Sequence, residues 1–382
     1  MKSVRKLLHG QILGAVAFAT AAFLALFFFF DLVEELQRLG RGGYTLSDAL
    51  WTCLLALPGH LYDLLPITML IGSTFALARL AQTSEFTILR TAGLGPGRAL
   101  SLLASLGVAG AIAMVLVGEW LMPWSEQAQT THLAASRQGQ ALKLGRGGAW
   151  LRDTGVGADG RPVQVTINVG SALGEERFQD VRIFQFDTDG SLLRRVAARE
   201  ARIQARDDGT TLWSLHDVAD SHWLPVRSSS PVGAAAQRVR EQHLPELQWP
   251  SSMAREVVSA SVLPIDTMSI VALWRYTRHL AANAQAAQKY ELQFWKKAFA
   301  PLACVVMVAL ALPFAYLQSR SGGISVKVFG GIMLGISFVL VNHISAHLGL
   351  LHQWTPWVAA LAPSVVYTLL SLSVFLWLVR NR

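Results

Sequence analysis

Six apolar stretches, each about 20 residues long and so able to cross a hydrocarbon core as a helix, fall into two groups of three. They run from Ile12 to Phe30, Leu54 to Leu77 and Ala99 to Met122, then from Ala298 to Leu317, Val328 to His347 and Pro356 to Leu378. Residues 123–297 between the groups are mostly polar. The pattern predicts a six-helix membrane protein with one soluble domain inserted between the third and fourth helices. The first stretch is too long for a signal-peptide core, and no small-residue cleavage site follows Phe30, so it reads as a retained helix.

Inside the insertion the apolar period changes to two. Val163, Val165, Ile167 and Val169 alternate with polar neighbours, as do Val181, Ile183 and their flanks, which is the signature of half-buried strands. Further strands are expected over 149–152, 192–205, 211–218 and 237–247, divided by turn-forming residues at Asp187 to Gly190, Asp207 to Gly209 and Ser228 to Pro231. Short strands at this spacing suggest a β-jellyroll-like or sandwich domain. Asp187 and Asp189 lack the rest of a calcium loop and read as a plain turn.

The helical period returns after Pro264. Asp266 or Thr267 can cap a helix whose apolar Met268, Val271, Leu273 and Tyr276 sit beside Trp274, Arg275, Arg278 and His279. The domains are expected at 1–122 (membrane helices one to three), 123–263 (the β domain), 264–297 (a helical connector) and 298–382 (membrane helices four to six).

Composition fits this plan: 52% of the 382 residues are hydrophobic and 15% charged, against about 25% charged in soluble proteins. Basic residues set the orientation, because they stay on the cytoplasmic side in short loops. Lys2, Arg5 and Lys6, then Arg79, Arg90 and Arg98, then Arg320 and Lys327, and finally Arg380 and Arg382 all fall on one side. Both termini are therefore expected in the cytoplasm and the β domain outside. Cys53 stands at the start of the second membrane stretch and Cys304 inside the fourth, so the exported domain must fold without a disulfide framework.

Two places carry candidate function. In the second cytoplasmic loop, near 84–92, Ser84 can cap a short helix with Glu85 in its first turn and Phe86, Ile88 and Leu89 on an apolar side. Two turns are marginal in water, so something must hold that side, either the protein's own bundle or a groove on a cytoplasmic partner. At the outer membrane face, Trp274, Arg275 and Arg278 and then Trp295, Lys296 and Lys297 gather before the fourth stretch, suiting either interfacial anchoring or an anionic headgroup. The Gly-x-x-x-x-Gly-Lys-Ser/Thr phosphate loop, His-Glu-x-x-His and Gly-x-Ser-x-Gly motifs do not occur in the sequence. No catalytic residue, metal site or cofactor is expected. His343 and His347 stand four apart without an acidic residue or cysteine near them, so hydrogen bonding or a water-facing position is expected.

The whole chain resembles the LptF/LptG family of lipopolysaccharide-export permeases. Leu80-Ala81-Gln82-Thr83-Ser84-Glu85 is similar to the family's coupling-helix entry. Gly118-Glu119-Trp120 with Pro123 and Glu126-Gln127, then Tyr290, Leu292, Trp295, Lys297 and Pro301, and Ala362-Pro363-Ser364 resemble its LptG branch. The resemblance implies a non-catalytic half of an ABC transporter permease in the bacterial inner membrane. It would be paired as a heterodimer with LptF, seated on a dimer of the ATPase LptB, and joined by the transmembrane helix and β domain of LptC. Its cargo would be lipopolysaccharide, extracted from the membrane and passed to a periplasmic bridge, with no nucleic acid involved. On the same basis Ser84, Glu85, Phe86 and Leu89 are expected to couple the ATPase to the membrane helices. Family members carry basic residues near the outer end of the first helix; here that stretch reads Asp31-Leu32-Val33-Glu34-Glu35-Leu36-Gln37-Arg38. A positive rim for lipid phosphates is therefore assigned to Arg38, Arg41, Lys296 and Lys297. Two other classes share the topology. A membrane-anchored sensor or scaffold would not need a helix that acts on an ATPase, and a secondary transporter would need more ionisable residues near the bilayer centre than this chain has.

Overall fold

The computed structural model describes residues 2–40, 43–91, 93, 95–136, 142–143, 148–156, 162–173, 176–206, 210–225, 237–253, 257–258, 265–282, 287–316 and 324–380. Arg41, Arg320, Arg382, Pro264 and the turns at 207–209 and 228–231 lie outside them. Among the described residues six helices are long and apolar enough to cross a membrane. The chain divides into two compact units, residues 1–38, 49–126 and 288–382 forming the first and residues 39–48 and 127–287 the second.

The first unit is helical. Its elements are α1 (Lys2–Leu36), α2 (Leu46–Gln82, from Ala49 on), the short α3 (Glu85–Thr91) and α4 (Pro96–Leu116), which passes through one π-helical turn (Val117–Leu121) into α5 (Met122–Ser136), whose residues after Glu126 belong to the second unit. After the insertion come α7 (Gln288–Tyr316), α8 (Ile324–Leu351) and α9 (Pro356–Arg380). The third membrane helix thus stays helical through the polar residues to Ser136, whereas hydropathy alone ends it at Met122. Leu8, Ile12, Leu70, Leu77, Leu103, Met307 and Leu312 form one buried cluster joining α1, α2, α4 and α7. Phe18, Trp377 and Leu369, 78%, 64% and 58% exposed, point away from it, as side chains facing lipid or another membrane subunit must.

Glycine sets how closely these helices approach, because without a hydrophobic force between them in lipid they associate by backbone contact. A Cβ on Gly72 would lie 2.6 Å from the Val16 backbone, and one on Gly107 would lie 2.7 Å from the Val305 Cα. Gly107→Val should therefore push α4 from α7 and cost about 1–3 kcal/mol as overpacking. A lowered melting temperature in detergent checks this, with Gly59→Val, where open space surrounds the glycine, as a control.

The second unit holds an antiparallel sheet whose strands β2 (Ala149–Val156), β3 (Pro162–Leu173), β4 (Arg177–Phe186), β5 (Leu192–Ala205), β6 (Thr211–Pro225) and β7 (Gln237–Ser251) lie side by side in chain order. A two-residue β1 (Leu142–Lys143) continues the line of β2 along β3. Strands of this length would make a wide, flat ribbon, yet the sheet folds over itself, and one row explains how. The ladder skips Gly170 opposite Asp180, Asp180 opposite Arg199, Arg199 opposite Asp217 and Asp217 opposite Pro245. Asp180 and Asp217 both take φ of 54°, a left-handed conformation that Asp tolerates better than most residues. A Cβ on Gly170 would come within 2.8 Å of the Asp180 Cβ, so glycine is what fits opposite. The buried positions change phase across this crease, from Phe178 to Val181 in β4 and from Leu215 to Val218 in β6.

Contacts across the interior prove the fold-over. Arg194 pairs with His222 in the ladder, nine positions from the partner of Trp249, or about 30 Å along a flat strand. Its guanidinium nevertheless stands 5.3 Å from the Trp249 ring. The buried Asp153 of β2 likewise accepts hydrogen bonds from Ser251 Oγ at 2.7 Å, the Ser252 amide at 3.1 Å and the Ser252 hydroxyl, at the far end of β7. The enclosed core contains Ile167, Phe178, Ile183, Trp213 and Leu215, with the rings of Phe178 and Trp213 5.8 Å apart. The inserted domain is thus one creased antiparallel sheet closed on itself.

Candidate functional site

The short loop helix α3 is built into the bundle on one side and open on the other. Phe86 is 3% exposed and joins the cluster of Leu8, Leu77, Leu80 and Leu103, with Leu89 packed against its edge. Its ring meets that of Tyr316, at the end of α7, edge-on with centroids 5.3 Å apart. The opposite side presents Thr87, Thr91 and Ile88, the last 63% exposed. Glu85 is half-buried in the first turn, where the helix dipole favours a negative charge. Ser84 differs from the expected cap. Its φ is 61°, outside the extended conformation of capping residues, and its carbonyl accepts the Ile88 amide at 3.1 Å. It makes a sharp turn out of α2.

A groove of about 550 Å³ runs along α1 and α2, lined by Gly10, Gly14, Phe18, Phe23, Phe75 and Arg79 among others. Its walls are apolar except for Gln11 and Arg79. Small residues at Gly10, Gly14, Ala15 and Ala19 leave a flat face on α1 of the kind that admits another helix.

At the other ends of α1 and α2, charges are paired. His60 Nε2 and Asp31 Oδ2 are 2.7 Å apart, and Arg38 reaches Glu35 at 2.6 Å and Glu34 at 3.1 Å. The Asp31 to Arg38 segment therefore neutralises its one guanidinium with its own carboxylates. Lys296 is half-buried. Lys297 turns inward: it is 4% exposed and its ammonium stands 5.6 Å from the centroid of the Tyr62 ring. Gly118, in the π-helical turn, makes room for that ring, since a Cβ there would fall 2.6 Å from Tyr62 Cε2. Gly118 of the Gly118-Glu119-Trp120 motif therefore packs against the same phenol ring that Lys297 faces. The sequence gives no signal for this cluster, because its members lie on three helices. His343 and His347 are exposed, and among the described residues no three His, Cys, Asp or Glu side chains are placed to hold a metal ion.

In the β domain, Arg194 donates two hydrogen bonds to Asp220, at 2.9 and 2.6 Å, and His222 Nε2 lies 3.3 Å from the same carboxylate. Burial alone would raise the Asp220 pKa; the bonds and charges of Arg194 and His222 outweigh it and hold the carboxyl below its ordinary value. At the turn after β4, Asp189 accepts the Ser191 amide and hydroxyl, which lower its pKa as well.

Six membrane-length helices, a β domain inserted between the third and fourth, and a loop helix locked to the bundle are the build of a multi-pass transporter's membrane subunit. The chain belongs to the lipopolysaccharide export system permease LptF/LptG family, whose model matches residues 6–379. It is 25% identical over 353 residues, 92% of this chain and 90% of the relative, to the lipopolysaccharide export system permease protein LptG of Escherichia coli strain K12. It is 25% identical to the LptG of Haemophilus influenzae over 373 residues, 97% and 96% of the two chains. It is thus a permease, a transmembrane component rather than a hydrolytic one.

Proposed function

We propose that this chain is the LptG-type half of an inner-membrane exporter, paired with an LptF-type permease, an LptB-type ATPase dimer and an LptC-type membrane helix. Both termini face the cytoplasm and the β domain the periplasm. The observation that carries the coupling role is the two-sidedness of α3: Phe86 is fixed in the bundle against Tyr316 while Ile88 is open. Movement of an ATPase that grips the Ile88 and Glu85 side would be transmitted through Phe86 to α2, α4 and α7. Leu89 supports the bundle contact, and Ser84 sets the angle at which α3 leaves α2. The groove along α1 and α2 suits a partner's transmembrane helix.

Arg38, Arg41 and Lys296 are proposed as the rim that meets lipid phosphates, with phosphate displacing Glu34 or Glu35 from Arg38. Lys297, by its burial, would act beneath the rim by fixing Tyr62. Agreement over nearly the full length of two LptG proteins supports that branch. Co-expression with LptF- and LptB-type partners tests the assembly. A stable complex is expected whose ATPase activity responds to lipopolysaccharide, and Glu85→Ala should lower that response at least several-fold while the chain stays inserted. Absence of a complex, or activity indifferent to Glu85, would contradict it.

A further inference from the structure

The connector helix α6 (Ile270–Ala282) carries a second apolar and basic face that the export role does not use. Ser269, rather than Asp266 or Thr267, begins it, its hydroxyl accepting the Ala272 amide at 3.1 Å. Leu273, Tyr276 and Leu280 form its buried side, each under 5% exposed. On the opposite side Val271, Trp274, Arg275 and Arg278 are all exposed and follow the i, i+3, i+4, i+7 spacing of one helical stripe. Val271 is 51% and Trp274 49% exposed. The Arg278 guanidinium lies 5.4 Å from the Trp274 ring, and among the described residues neither arginine is ion-paired.

We propose that this face lies on the outer leaflet of the membrane that α7 spans, with Trp274 and Val271 at headgroup depth and Arg275 and Arg278 bound to anionic phospholipid headgroups. Three observations select a lipid surface. From Ile270 to Tyr290 the chain has Arg275, Arg278 and Lys289 and not one acidic residue, so the face complements an anionic surface. Tryptophan beside arginine on a shallow apolar stripe is the chemistry of an interfacial helix, apolar to one side and wet to the other. Finally, α6 ends at Ala282 and the membrane helix α7 begins at Gln288, so five intervening residues, which span about 20 Å from Ala282 to Gln288 at full extension, tether it to the bilayer.

The proposal rests on the membrane-spanning assignment of α7, and the test separates the two. The full chain, whose native Cys53 and Cys304 are buried, is spin-labelled at Val271→Cys and, separately, at Leu302→Cys in α7. Each is reconstituted in vesicles of phosphatidylethanolamine with phosphatidylglycerol or of phosphatidylcholine alone. Accessibility to oxygen and to a water-soluble nickel complex then reports depth. The expected result is a Val271 label about 5–10 Å into the headgroup region in anionic vesicles, shifting toward water in phosphatidylcholine and in the Arg275→Glu, Arg278→Glu double variant. A label as open to nickel as one at the exposed turn residue Thr188 overturns the proposal, as does one shielded from both reagents, which would mean a protein partner. A depth indifferent to lipid charge and to both arginines overturns the headgroup assignment. A Leu302 label in the hydrocarbon beside a Val271 label in water defeats this inference alone; both in water would also defeat the membrane assignment.

Discussion

Phe86→Ala should cost about 3–5 kcal/mol, the range for truncating a buried aromatic, and should abolish coupling even if the partner ATPase still binds. The ring is nearly fully buried, meets Tyr316 edge-on and is surrounded by Leu8, Leu77, Leu80 and Leu103. A seven-residue helix has too few internal hydrogen bonds to persist alone, so removing its anchor should loosen α3 itself. Ile88→Asp is the contrasting variant. Ile88 is 63% exposed, so its replacement should leave stability within about 0.5 kcal/mol yet weaken association with the ATPase. Thermal unfolding combined with co-purification separates the two. Equal stability for Phe86→Ala and the parent chain would show that α3 is not held through that ring.

Asp220→Ala should cost the β domain about 3–5 kcal/mol, because it leaves the Arg194 guanidinium partly buried against Trp249 without its carboxylate. The same pair gives the domain a pH dependence with a definite sign. The Asp220 carboxyl titrates below its ordinary value when folded, so its stabilisation is fully present above the unfolded value of about 3.9. It is lost as pH falls through the lower folded value. Hydrogen exchange of β5 and β6 in the full-length protein should stay slow from pH 7 to about 4 and quicken below that. In Asp220→Asn the exchange should already be faster at pH 7 and its acid dependence weaker. Unchanged protection in both variants would mean that the pair contributes nothing to holding the two halves of the creased sheet together.

Much of this architecture is written in short-range pattern. The alternation of Val163, Val165, Ile167 and Val169 places β3, and the expected 192–205 segment coincides with β5. The crease is not readable this way. It depends on Gly170, Asp180, Arg199, Asp217 and Pro245 falling in one row, and a row exists only after the register of five strands is set. Helix α5 was hidden because Glu126, Gln127 and Gln129 end the apolar signal while the backbone goes on winding. In the loop helix, residue types identified Phe86, Ile88 and Leu89 as an apolar side but could not say which ring enters the bundle. Seven residues give no usable period, and tertiary packing with Tyr316 makes the choice. Lys297 shows the same limit. Beside Trp295 and Lys296 it reads as surface charge, yet the Tyr62 ring from another helix provides a buried face for its ammonium.

The central claim is that α3 transmits ATPase movement into lipopolysaccharide export, and site-specific photocrosslinking tests it most directly. A photoreactive residue replaces the exposed Trp150 of the β domain, in the chain reconstituted with LptF-, LptB- and LptC-type partners in vesicles containing lipopolysaccharide. The account predicts adducts that appear only with ATP and disappear in Ile88→Asp and in Phe86→Ala. Adducts that form equally without ATP, or that survive both substitutions, would contradict it.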